Sequence, residues 1–162
     1  MSVPLYRRDL QLEERDGETV VTARLPRSAD LCYRLFCDVE RLGEWLTVVA
    51  TIVVRRRDER GRPVEVGFTG NLLRASITYA LVYEYRDDQP EVRWSVGESG
   101  SGVRKLAGSA RFTPEGPETC EMRYALATEM APHLPRWADS FYGSRPAEAV
   151  VMDFAAWVER QG

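Results

Sequence analysis

Seven tyrosines, one histidine and three cysteines are the residues of this chain best suited to chemistry, and their spacing sets how much of it they can do. Tyr79, Tyr83 and Tyr124 fall in segments where apolar and polar residues alternate, on the apolar side. A phenol turned toward an apolar interior needs a hydrogen-bond partner. Either backbone or water supplies one, or the hydroxyl orients a carbonyl or hydroxyl of a bound molecule while the ring stacks on its body. The sequence leaves both open at each position. His133, in Ala131-Pro-His-Leu-Pro135, has no companions at metal-ligand spacing and no Ser or Cys with a carboxylate to complete a triad. It reads as an exposed loop residue, with a place at a cavity mouth as the alternative. Cys32, Cys37 and Cys120 are odd in number and contain no C-x-x-C pair, so they read as buried free thiols.

Other features exclude whole classes of function. Arg55, Arg56, Arg57, Arg60 and Arg62 form the one basic cluster, interrupted by Asp58 and Glu59. On a hairpin such charges make a solvated edge that discourages further strand pairing. Gly97 to Gly102 reads as a mobile loop but not a phosphate cradle, because no helix with Lys or Ser/Thr follows it in the required order. The net charge of −3 gives no general attraction for nucleic acid or anionic lipid. No apolar stretch approaches the ~18 residues of a membrane span, and the first 17 residues lack the apolar core of a secretory signal. The expectation is therefore a cytoplasmic protein without cofactor, metal, nucleic acid or integral membrane association. With 44% hydrophobic and 29% charged residues, the composition is that of a globular chain.

The elements that must position these residues follow from periodicity. Thr19 to Leu25 is β-branched and bounded by Gly17 and Pro26, which predicts a strand. Ser28 as N-cap and Asp30 in the first turn start a short helix, and a second runs from Val39 until Gly43. Val48 to Arg57 and Val64 to Leu72 predict a hairpin across Asp58 to Pro63. Ser76 to Arg86 alternates, with Ile77, Tyr79, Leu81, Tyr83 and Tyr85 on one face. After a turn at Asp87 to Pro90, Val92, Trp94 and Val96 continue an apolar face, with Glu91, Arg93 and Ser95 opposite. Arg104 to Thr113 and Thr119 to Glu129 alternate likewise, around a turn at Pro114 to Pro117.

Successive alternating strands with short connections predict an antiparallel sheet with one dry face. Its cover is a C-terminal helix, because Ala147, Val150, Val151, Phe154, Ala155 and Val158 form one apolar stripe at helical spacing, bordered by Trp157. Pro146 suits its first turn and Ser144 its cap. The dry face carries almost no ionisable group, so an acid-base enzyme would lack its proton carriers there. The candidate ligand-binding residues on the sheet are Phe68, Tyr79, Leu81, Tyr83 and Trp94, continued by Leu106, Phe112, Met122 and Tyr124. Val151 and Phe154 face them from the helix, and Trp137 and Phe141 lie in Pro132 to Pro146, which reads as a gate of aromatics between prolines and a glycine.

Strand, two short helices, six strands and a long helix resemble, in that order, the START-like or birch-pollen-allergen-like superfamily, from about Glu18 to Arg160. The stretch Leu25-Pro-Arg-Ser-Ala-Asp-Leu-Cys-Tyr-Arg-Leu-Phe-Cys-Asp-Val-Glu-Arg-Leu-Gly-Glu-Trp-Leu46 carries the resemblance most specifically. Trp94, Gly108, Phe112 and Thr119 to Leu126 are similar to bacterial members of the polyketide cyclase/dehydrase or lipid-transport type. The resemblance implies an α+β helix-grip fold: a seven-stranded curved antiparallel sheet around the C-terminal helix, with a cavity opening near the short helices. Residues 1–162 would form one such ligand-binding domain, with 1–17 as a loose arm or an extra edge strand. The implied function is binding or carriage of a lipid-like or aromatic molecule. The alternative is a metal-independent cyclase, aromatase or dehydratase in the same cavity, and a third reading is an interaction module with a filled core. An interior with no space of ~300 Å³ would favour the third.

Overall fold

The computed structural model describes residues 10–15, 17–46, 49–72, 75–98, 103–130 and 146–161. Strands β1 (Gln11–Arg15) and β2 (Glu18–Leu25) precede helix α1 (Ala29–Cys37) and a 3₁₀ turn (Val39–Glu44). The strands β3 (Val49–Arg57), β4 (Pro63–Leu72), β5 (Ala75–Arg86), β6 (Glu91–Glu98), β7 (Val103–Gly116) and β8 (Thr119–Met130) follow, and then α2 (Pro146–Glu159). The eight strands of the described residues form one antiparallel sheet in the order β1-β2-β8-β7-β6-β5-β4-β3. The expected seven strands are β2 to β8; the eighth is β1, so the N-terminal segment takes the edge-strand alternative where it is described.

Local chemistry explains the boundaries. The Ser28 hydroxyl accepts from the Leu31 N–H at 3.2 Å and caps α1, and Asp30 sits in its first turn. Between β3 and β4, Asp58 Oδ1 accepts from the N–H groups of Arg60 and Arg62, both at 2.9 Å. Gly61 turns the corner with φ of 80°, a conformation costly for residues with a Cβ. Irregular registers in the β3–β4, β5–β6 and β7–β8 pairs mark where the sheet bends. Two boundaries differ from the sequence expectation. Gly97 and Glu98 continue β6 rather than opening a loop, since cross-strand pairing reaches Glu98. Pro114 to Gly116 belong to β7, which pairs with β8 as far as Gly116–Thr119. Pro114 is tolerated because it lies at the strand's irregular end.

The dry face is as the alternation implies. Val66, Phe68, Tyr79, Leu81, Tyr83, Trp94, Phe112, Met122, Tyr124 and Leu126 are all buried. Helix α2 buries its predicted stripe, Ala147, Val150, Val151, Phe154, Ala155 and Val158, and packs against β2, β8 and α1. Phe36 of α1 is the hub, its ring centroid within 6.3 Å of those of Trp45, Trp94, Phe112, Tyr124 and Phe154. Alternation misplaces one charged residue. Glu91, expected opposite the apolar face, is 4% exposed because Arg93 and Arg111 fold over its carboxylate.

Candidate functional site: a cavity between sheet and helices

The concave side of the sheet does not meet the helices everywhere. Phe68 of β4, Tyr79, Leu81 and Tyr83 of β5, and Trp94 of β6 form one wall of a hollow. Leu106 of β7 and Tyr124 and Leu126 of β8 continue it. Phe36, the 3₁₀ residues Val39 and Leu42, then Trp45 and Leu46, close the other side with Val150 of α2. The free interior is about 70 Å³, and the hollow counted out through its opening to solvent is about 610 Å³. The interior alone has room for a few waters, whereas preformed small-molecule sites span roughly 300–1,000 Å³. A drug-sized molecule fits only by extending into the opening or turning wall side chains. The interior of about 70 Å³ lies below the ~300 Å³ mark, so volume by itself favours the interaction-module reading, and ligand binding requires the opening or a movement of the wall.

Strand register sets the wall. Phe68 opposes Tyr79 across β4 and β5, and their rings stack with centroids 5.4 Å apart. Tyr83 opposes Trp94, with centroids 6.4 Å apart, and Trp94 lies 5.6 Å from Tyr124. Gly108 opposes Trp94 on the other side, and a Cβ there would fall 2.5 Å from the indole. The absent side chain lets Trp94 lie against β7 instead of standing further into the hollow.

The polar groups of the wall are few. Among the described residues, the hydroxyls of Tyr79, Tyr83 and Tyr124 have no hydrogen-bond partner, although each residue is less than one-tenth exposed. Burial pushes the Tyr79 phenol up to about 12. Burial, then the neighbouring phenols Tyr79, Tyr85 and Tyr124, raises Tyr83 well above the ordinary range; burial and then Tyr79 raise Tyr124. All three are neutral near pH 7, able to donate a hydrogen bond but not to act as bases. Two other tyrosines are occupied in the structure: Tyr33 donates to Asp87 at 3.0 Å, and Tyr85 donates to the Pro63 carbonyl. Among the described residues, the Trp45 indole N–H is the one fully buried side-chain polar atom without a partner.

No described lining residue is a carboxylate, lysine, arginine or histidine. Among the described residues, no group of three or more His, Cys, Asp or Glu could hold a metal ion. The cysteines are all free; Cys32 and Cys120 are fully buried, and burial pushes the Cys37 thiol up to about 12. Arg56, Arg57, Arg60 and Arg62 each engage a carboxylate, respectively Glu65, Glu40, Asp87, and Asp58 with Asp87. These four arginines are therefore paired along a solvated edge, partly with carboxylates from the 3₁₀ turn and the β5–β6 turn. No helix of the described residues is long and apolar enough to cross a membrane.

Of the residues singled out in the sequence, Phe68, Tyr79, Leu81 and Tyr83 line the hollow, as do Trp94, Leu106 and Tyr124. Phe112, Met122, Val151 and Phe154 do not: each is at most 1% exposed and packs in the core beneath. Alternation identifies a face but not how far along it the helix makes contact. Trp137 and Phe141, with His133 and the proposed gate, lie outside the described residues. Sequence reasoning missed Phe36, Val39, Leu42, Trp45 and Leu46, because apolar residues on and after short helices read as core, and Leu126 and Val150, which read as packing residues of the dry face and the helix stripe.

A curved antiparallel sheet wrapped around a C-terminal helix over an apolar hollow defines the helix-grip class. Residues 17–159 match the family described as polyketide cyclase / dehydrase and lipid transport, and the chain belongs to that family. No curated protein matches it. A START superfamily protein from Mycobacterium smegmatis superposes with a TM-score of 0.76 at 16% identity, over 90% of this chain and 99% of that one. The Zhui aromatase/cyclase from Streptomyces sp. R1128 gives 0.66 at 12% identity, over 89% and 94%. Norcoclaurine synthase from Thalictrum flavum, in truncated form, gives 0.61 at 12%, over 95% and 98%. At these identities the likeness is one of fold.

Proposed function

We propose that residues 1–162 act as one domain that binds or carries a small hydrophobic molecule, lipid-like or aromatic, in the hollow beneath α2. The observation that carries this reading is the wall: aromatic and aliphatic side chains, converging on open space, with only neutral polar groups among its described residues. A protein that used the fold merely as a scaffold would gain by filling that space, since every unfilled contact forfeits dispersion energy. Membership of a family described by polyketide cyclisation, dehydration and lipid transport supports the same reading. A cytoplasmic setting fits three unpaired cysteines. Neither a metal nor a nucleic-acid partner enters the proposal, since the described arginines of the basic edge are already paired.

The cyclase reading rests on the three unmatched phenols, which could polarise a carbonyl of a folded polyketide as weak acids. It lacks a proton acceptor among the described lining residues, so carriage is the better-supported function. The test is titration with N-phenyl-1-naphthylamine, an uncharged probe that fluoresces in apolar surroundings, with native mass spectrometry of the protein as purified. Saturable one-to-one binding, and a co-purifying small molecule released by organic extraction, are expected. A protein of bare polypeptide mass that shows only linear, unsaturable probe uptake would rule the function out.

A further inference from the structure

The wall also states which hydrophobic molecules the hollow accepts. We infer that the ligand is uncharged and presents an oxygen, as a ketone, phenol or alcohol on an aromatic or alicyclic body, to the hydroxyls of Tyr79, Tyr83 and Tyr124. A carboxylate-bearing lipid such as a fatty acid is refused. This rests on the binding reading above and narrows it.

Three observations combine. First, register places the hydroxyl-bearing rings on one wall: Tyr79 and Tyr83 are four residues apart on one face of β5, with Leu81 between them, and Trp94, opposite Tyr83, packs on Tyr124. Second, the three hydroxyls lack partners among the described residues, while Tyr33 and Tyr85, outside the hollow, are satisfied by Asp87 and the Pro63 carbonyl. A lining hydroxyl without a protein partner is otherwise answered only by water, so a ligand oxygen that accepts from it adds to the apolar contacts. After burial, Tyr79, Tyr85 and Tyr124 make the Tyr83 phenol harder to ionise, and Tyr79 does the same to Tyr124, which fits their sharing one wall. Third, no described lining residue carries positive charge. A carboxylate entering that wall would lose its water and find only neutral donors, and an unpaired buried charge is disfavoured far more than a buried hydroxyl. The unpartnered Trp45 N–H adds another neutral donor to the lining and no cation.

The experiment holds the apolar body constant and changes only the polar group. Naphthalene, 1-naphthol and 1-naphthoate compete at pH 7 for bound N-phenyl-1-naphthylamine. Expected is 1-naphthol tighter than naphthalene by roughly fivefold to tenfold, the worth of one hydrogen bond, and 1-naphthoate weaker than naphthalene. In the double variant Tyr79→Phe with Tyr124→Phe, the advantage of 1-naphthol over naphthalene should disappear, read as the ratio of the two affinities. Displacement by 1-naphthoate as effective as by 1-naphthol would overturn the charge selection; equal affinity of naphthalene and 1-naphthol would overturn the recognition by phenols. In both cases probe binding itself survives, so the binding function stands. Absence of any probe binding instead removes the function and this inference together. The three-ligand comparison on the unaltered protein decides the matter even if the double variant does not fold.

Discussion

Trp94 and Gly108 show how one missing side chain sets the dimensions of a site. The indole occupies the position a Cβ at 108 would need, at 2.5 to 2.7 Å, and is held there by Phe36, Tyr83 and Tyr124. Gly108→Ala must therefore move the indole, and the open direction is into the hollow. Urea denaturation should show a loss of about 1–3 kcal/mol, the ordinary cost of overpacking, and probe affinity should fall with it. Adding Trp94→Phe should restore part of both, because the smaller ring no longer reaches the new methyl group. Unchanged stability and affinity in the single variant would mean that the ring has another place to go. The phenols belong to the same scale: their hydroxyls take part in no hydrogen bond among the described residues, so removing them should cost selectivity rather than folding.

At the scale of elements, β6 and β7 are joined on the outside of the sheet as well as through their ladder. Glu91, at the first position of β6, sits beneath Arg93 and Arg111, and its neighbour Pro90 accepts from the Phe112 N–H at 2.9 Å. Burial by itself would raise the Glu91 carboxyl, but hydrogen bonds from Arg93 and Arg111 outweigh it and hold the group below the usual carboxylate range. A depressed folded-state value means that the stabilisation is fully present above the unfolded value of about 4.3 and is lost as pH falls through the folded one. Glu91→Gln should thus lower stability by about 1–2 kcal/mol at pH 7. The variant should also show a shallower loss than the parent below about pH 4. Parallel acid-denaturation curves for the two proteins would assign that loss to other carboxylates. Helix α2 contributes differently, through a stripe whose Phe154 meets Phe36 at 5.2 Å and Trp45 at 5.1 Å. It anchors one end of the hollow by packing.

Across the whole molecule, stability is graded from the middle of the sheet outward. β7 and β8 are flanked on both sides and covered by α1 or α2, whereas β1 is exposed along its length and β3 carries Val53 at 59% exposure. The arginines of β3 line that edge with solvated ion pairs, Arg56 with Glu65 and Arg57 with Glu40, which oppose further strand addition. Native-state hydrogen exchange should be slowest at Ala110 to Phe112 and Met122 to Leu126 and fastest in β1 and β3. Protection of the β3 amides equal to that of Tyr124 would show that another chain covers the edge in solution.

The sequence by itself determined the elements and their faces. Alternation in 76–86 and 119–129 separates wet from dry sides, the stripe from Ala147 to Val158 requires a covering helix, and Ser28 marks where α1 begins. These are local signals, carried by residues a few positions apart. Only the tertiary structure decided where along the dry face the helix touches and where it stands away. Phe112, Met122, Val151 and Phe154 share the pattern of Tyr79 and Tyr124, yet they close the core, while Phe36 and Trp45 turn from a short helix and its following turn into the wall. The burial of Glu91 likewise depends on Arg111, from the neighbouring strand, folding over it. Depth within a face depends on the curvature of the whole sheet and on contacts between residues distant in sequence, which no local periodicity encodes.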